Sequence, residues 1–270
     1  MLKKYLTKLF SNRTCKRRVG RRSVWVRQVQ LERLEDRQLL TANIATGYGT
    51  NQFVEDIASD FGGKVVDING DGALDVIGDT VHIRNGGGWL TYANGPGVGT
   101  LVDIDGDNDL DVVRGRHWVE NLGGGTSWLQ HEVATVASGV VHVSSDVADF
   151  DRDGDMDIVI SRESKIHWFE NVNGDASTWT EHTVISGSPF DFVATAAGDM
   201  DNDGDMDVVV SANDYVILWL ENLGRGAFVD YFYNQIGSTA DDGRVYTSAS
   251  TLNVGDFDQD GRTDVIAVDT

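Results

Sequence analysis

The 270-residue sequence predicts an all-β fold: a β-propeller of four-stranded antiparallel blades, about five repeats with the last blade incomplete. Three observations carry that prediction. One acidic nine-residue pattern, Asp-x-Asp-x-Asp-Gly-x-x-Asp followed by branched apolar residues, occurs five times. A Trp or degenerate aromatic-free run ending in Asn follows each of the first four copies. Short apolar or alternating runs between them are punctuated by Gly and Asn, in a chain with 31 glycines and only 2 prolines. That is the composition of many short strands and tight turns.

In chain order, the first element is basic. Residues 1–42 hold 12 Lys/Arg against 3 Asp/Glu, a net +9, whereas residues 43–270 hold 10 against 40, a net −30. A body so acidic excludes nucleic acid as a partner of the whole molecule, because phosphate binding needs a basic surface. The single cysteine, Cys15, lies in the basic segment, so packing or metal must fasten the body without a disulfide. No run of 18 or more predominantly apolar residues exists, and no membrane span is predicted. The apolar stretches at 5–10 and 39–45 are short and interrupted for an ordinary secretory signal. A basic amphipathic helix lying on anionic lipid or nucleic acid is the alternative reading of this leader. Residues 43–61 read as a linker, in which 51–58, with Phe53, Val54 and Ile57, could return as a closing outer strand.

The five acidic loops define the repeat over residues 62–270. Their carboxylate-bearing and carbonyl positions 1, 3, 5, 7 and 9 are Asp67, Asn69, Asp71, Ala73 and Asp75 in the first loop, and Asp103, Asp105, Asp107, Asp109 and Asp111 in the second. The third loop carries Asp149, Asp151, Asp153, Asp155 and Asp157, and the fourth Asp199, Asp201, Asp203, Asp205 and Asp207. The fifth has Asp256, Asp258, Asp260, Arg262 and Asp264. Carboxylates at 1, 3, 5 and 9, with a backbone carbonyl from position 7, converge hard oxygens on one point. Such a donor set selects Ca²⁺, which takes about 6 to 8 oxygens at roughly 2.3 to 2.6 Å. Position 6 is glycine except for Asn108, the two residue types that best tolerate the positive φ of a sharp bend. The alternative is a set of Asx-type turns capping hairpins, with the acids kept for solubility. No Glu stands at position 12 and strands rather than helices flank the loops, which argues against a helix-opening calcium sensor.

Downstream of loops two to four come three homologous strands ending in Asn121, Asn171 and Asn222, with a degenerate first copy at 81–85. Alternating runs at 127–133 and 178–184 read as half-exposed outer strands. Each unit is therefore a strand into the loop, a strand out, the Trp-x-Glu-Asn strand and an outer strand. The repeated Trp118, Trp168 and Trp219 fit packing between blades better than sugar stacking. His117/His167 and His131/His182 likewise recur at fixed blade positions, and His82 and His142 complete a set that shows no zinc or catalytic spacing. Only six residues follow Asp264, so the fifth blade is expected to lack two strands. An open arc would leave edges liable to self-association.

These residues resemble the FG-GAP/VCBS repeat family, calcium-loop β-propellers related to the heads of integrin α-subunits. The run at 31–42, with Leu31, Glu32, Leu34, Glu35, Asp36, Arg37, Leu39 and Leu40, resembles the Leu-Glu-x-Leu-Glu-Asp-Arg-x-Leu-Leu signature of planctomycete-type exported proteins. The two resemblances imply export to the cell surface or outside, with the leader removed near Ala42. They also imply a non-catalytic binding or scaffolding module holding structural Ca²⁺, with an unidentified protein or glycan ligand. The alternative is a carbohydrate-active enzyme or its glycan-binding accessory domain.

Overall fold

In a computed structural model the described residues are 63–134, 143–213, 216–229 and 250–268, together with the backbone of three further strands. The leader motif at 31–42, the candidate closing strand at 51–58 and His142 lie outside the described residues. Two of the three backbone-only strands, β1 (Cys15–Val19) and β2 (Arg22–Val26), pair as an antiparallel hairpin. Among the described residues no helix is long and apolar enough to cross a membrane.

Four sheets of four antiparallel strands and one of two follow. The first blade is β3 (Lys64–Val66), β4 (Asp75–Ile77), β5 (Thr80–Asn85) and β6 (Gly88–Ala93); the second is β7 (Thr100–Val102), β8 (Asp111–Arg114), β9 (His117–Asn121) and β10 (Trp128–Glu132). The third comprises β11 (Val143–Ala148), β12 (Asp157–Arg162), β13 (Lys165–Asn171) and β14 (Trp179–Ile185). The fourth comprises β15 (Phe192–Gly198), β16 (Asp207–Ala212), β17 (Val216–Leu220) and the backbone-only β18 (Gln235–Gly237). In the fifth, β19 (Thr251–Gly255) and β20 (Asp264–Val268) pair with each other. Each blade runs in simple meander order, as the repeat predicts, and each acidic loop joins the first strand to the second. First strands of successive blades, β11, β15 and β19, lie side by side.

The core lies between blades because successive strand residues point to opposite faces. In β8, Val112 packs toward the first blade and Val113 toward the third. In β12, Ile158 and Ile160 face the second blade and Val159 the fourth. In β16, Val208 and Val210 face the third blade and Val209 the fifth. Both faces are buried, so these strands read as continuous apolar runs rather than alternating ones. Trp118, Trp168 and Trp219 each face the following blade and are only 3–4% exposed, which bears out packing and leaves no ring face for a sugar. Trp118 stacks on His131 at 4.3 Å and Trp168 on His182 at 4.2 Å, and each imidazole Nε2 lies 2.7 Å from the Glu of the same motif, Glu120 or Glu170. His131 and His182 thus belong to blade packing.

The candidate cation-binding face

Each loop is built by its own side chains. The position 1 carboxylate accepts two backbone N–H bonds from across the bend: Asp149 from Arg152 (2.7 Å) and Gly154 (3.1 Å), Asp256 from Asp260 (3.0 Å) and Gly261 (2.9 Å). Position 5 accepts from the position 7 amide, as in Asp71 with Ala73 (2.8 Å) and Asp153 with Asp155 (2.9 Å). These are the Asx-type turns of the alternative reading, and they leave carboxylate oxygens gathered at the bend. The sharp turn has positive φ at position 6 in every loop, from 74° at Asn108 to 102° at Gly154, as the Gly/Asn pattern predicts.

Position 9 behaves differently. Asp75, Asp111, Asp157 and Asp207 open the second strand of their blades and are buried. In Asp157, Oδ2 accepts the N–H of Phe150 (3.0 Å) and Oδ1 that of Asn171 (2.9 Å); Asp111 and Asp207 repeat the pair with Ile104 and Asn121, and with Met200 and Asn222. Burial pushes Asp111, Asp157 and Asp207 up to about 7, with the two N–H bonds opposing the shift; Asp75 and Asp264 are raised for the same first reason. Position 9 is therefore a brace between loop and third strand.

Among the described residues, carboxylate trios with one oxygen each within 4.8 Å of the others form in four loops. They use positions 1, 3 and 9 in the second and third loops (Asp103, Asp105, Asp111; Asp149, Asp151, Asp157). They use positions 1, 3 and 5 in the fourth and fifth (Asp199, Asp201, Asp203; Asp256, Asp258, Asp260). The first loop has the neutral Asn69, whose Oδ1 accepts from Asp71 N (3.1 Å). Hard oxygens so grouped suit a divalent cation such as Ca²⁺.

Three features escaped the sequence reading. The Asn ending each Trp-x-Glu-Asn strand is fully buried and is a latch between blades, not a turn residue alone. Asn171 Nδ2 donates to Ile104 O of the preceding blade (2.9 Å) and Asn222 Nδ2 to Phe150 O (2.8 Å), while each Oδ1 accepts from the following turn. In the first blade the register differs: Arg84 N, not Asn85 N, binds Asp75 Oδ1 (2.7 Å), so Arg84 stands at the latch position. Its side chain lies over Trp89 instead. The signal available was the recurrence of Asn at the end of each Trp-x-Glu-Asn run. Second, position 7 side chains are not idle, because Asp205 pairs with Arg152 Nε at 2.9 Å. Third, Asp146, within β11, accepts from Thr100 Oγ1 (3.0 Å) of the second blade and Ala197 N (2.9 Å) of the fourth. It is the only carboxylate within the described first strands, and burial raises its pKa despite these bonds and the nearby Lys64.

Comparison with known proteins adds to this geometry. Residues 149–210 match the FG-GAP-like repeat family model. The matched FG-GAP-like segment runs from the first carboxylate of the third loop into β16, so it contains two acidic loops and the latch residue Asn171, and it supports the FG-GAP repeat family for this chain. No curated protein matches the sequence. Among solved structures the chain is similar to a lectin of Agrocybe aegerita, described by its specific recognition of non-reducing terminal N-acetylglucosamine. Identity is 21% and the TM-score 0.53, over 75% of this chain and 59% of the lectin. At that identity the likeness concerns the fold, and the chain spans little more than half of the lectin's length.

Proposed function

We propose that the protein is an exported, calcium-binding, non-catalytic propeller that presents a binding surface for a glycan or protein at the cell surface or outside. The observation that carries this reading is the grouping of three carboxylates within 4.8 Å in four successive loops on one repeated framework. Fixed spacing in five places is more than solubility requires. The FG-GAP-like match and the lectin fold support a binding module, and a glycan ending in N-acetylglucosamine is the first ligand to try. The enzyme alternative needs a polar group peculiar to one blade near the axis, and Asp146 is the described candidate, but both its oxygens hold neighbouring blades together.

Calorimetric titration of chelated protein with calcium, followed by a glycan array with and without calcium, tests the proposal. Asp153→Ala should lower the calcium stoichiometry by one while Asp155→Ala leaves it unchanged, since position 7 is assigned a backbone carbonyl. No calcium heat, or equal losses from both variants, would overturn the ligand assignment.

A further inference from the structure

Position 4 of the acidic loops takes a positive φ throughout, yet only the first two loops place glycine there. Gly70 and Gly106 have φ 70° and 76°; Arg152, Asn202 and Gln259 adopt 65°, 59° and 60° with a side chain attached. A side chain in that region carries a conformational cost that glycine does not. In the third and fourth loops the side chain is used to reach the next blade. Arg152 spans from the third loop to the fourth, donating from Nε to Gly204 O (3.0 Å) and from its terminal nitrogen to Asp203 O (3.1 Å), and pairing with the Asp205 carboxylate. The fit is close enough that a Cβ on Gly204 would lie 2.4 Å from the guanidinium. Asn202, one blade further on, donates from Nδ2 to Gly261 O of the fifth loop (3.2 Å), beside a second bridge from Thr263 Oγ1 to Asp199 O.

We propose that Arg152 and Asn202 couple the third, fourth and fifth acidic loops into one conformational unit through position 4, a link that the first and second loops, with glycine there, do not make. The backbone at position 4 carries both the bend of its own loop and the hand extended to the next, so a loop that opens withdraws the donors holding its neighbour. Gly70 and Gly106 have no side chain to extend. Coupling of this kind is reciprocal, so ordering any one of the three loops favours the others. If the loops take calcium, a consequence that rests on the proposed function, the last three fill cooperatively and the first two do not.

Arg152→Gly and Asn202→Gly test the coupling cleanly, because glycine relieves the positive-φ cost and reproduces the first two loops. Amide hydrogen exchange on the chelated full-length protein needs no cation. Arg152→Gly should speed exchange at Asp203, Gly204 and Asp205 by about tenfold, of the size typical for coupled sites, and should also speed the fifth-loop amides of Asp260 and Gly261. The first two loops should be unchanged. Asn202→Gly should act on the fifth loop and, by reciprocity, back on the fourth. An Arg152→Gly effect confined to the contacting residues of the fourth loop, or spread equally over all five loops, would overturn the proposal. A calcium titration of the same variants separates the two readings: absence of calcium binding defeats the calcium assignment, whereas the exchange result decides the coupling.

Discussion

The third and fifth blades carry the same acidic loop in different surroundings. In both, the position 1 carboxylate closes the bend by two backbone bonds, one of them from the position 6 amide, Gly154 or Gly261, and position 9 accepts the N–H of the aromatic at position 2, Phe150 or Phe257. Yet Phe150 is fully buried and Phe257 is 49% exposed, and β12 is buried from Asp157 to Ser161 where β20 is half-buried. Phe150 owes its burial to the fourth blade, whose Leu218, Leu220 and Phe228 pack over it and whose Asn222 clasps its carbonyl. Among the described residues nothing equivalent covers Phe257. The loop is thus a local structure, and the blade core is made by the neighbour that follows.

Truncating the two aromatics breaks that comparison most directly. Phe150→Ala should cost about 3 to 5 kcal/mol, the range for a large ring removed from a closed core, whereas Phe257→Ala should cost less than about 1 kcal/mol. Urea unfolding of the two variants checks the ratio; equal losses would mean that the fifth blade is covered as the third is. Calcium acts next in size. Added to chelated protein at 100 times its dissociation constant, it should stabilise by about 2.7 kcal/mol for each site occupied only in the folded state, read as a rise in Tm. An unchanged Tm would remove cation binding as a source of stability in either blade.

The latch sharpens the comparison from the other side. Asn171→Ala strips the partner from Ile104 O and from Ala176 N, both buried, and should cost about 1 to 3 kcal/mol by denaturant unfolding. Asn85→Ala, at an exposed residue one place beyond the latch position of the first blade, should change stability by less than about 0.5 kcal/mol.

The smallest effect concerns protons. Asp146 in the third blade corresponds to the uncharged Asn253 in the fifth, each three residues before its loop. Burial raises Asp146 above the ordinary carboxylate value, so the folded state binds its proton more readily than the unfolded chain does. Stability from this group therefore grows as pH falls through the raised folded value toward about 4, and is lost again as pH rises. Asp146→Asn should flatten that part of the pH profile of chelated protein, above about pH 4. A profile identical to that of the unsubstituted protein would show that the carboxylate does not titrate in the folded state as its burial implies.

How much was legible follows the same division between local and neighbouring structure. The four-strand blade order was readable because loop, Trp-x-Glu-Asn strand and outer strand recur at similar offsets, and the positive φ at position 6 because glycine and Asn108 mark it. The use of Arg152 and Asn202 was not, since nothing in a nine-residue window shows what lies 52 or 59 residues away in the chain. The first-blade run at 81–85 misled by one residue because its register is set by the Asp75 bond to Arg84 N, not by its Asn.

The sequence by itself determined the bends of the acidic loops, because the side-chain oxygens at positions 1, 3 and 5 reach amides two to five residues away and the conformational preferences of Gly and Asn act on single residues. It also determined the alternation that sends Val112 and Val113 to opposite faces, a property of any extended strand. Only the tertiary structure decided that Asn121, Asn171 and Asn222 fasten each blade to the one before, that Asp146 spans three blades, and that Phe150 is buried while Phe257 is not. Those outcomes depend on which backbone carbonyl, amide or apolar surface the packing of successive blades brings within 3 to 4 Å, and a repeat read along the chain does not contain that distance.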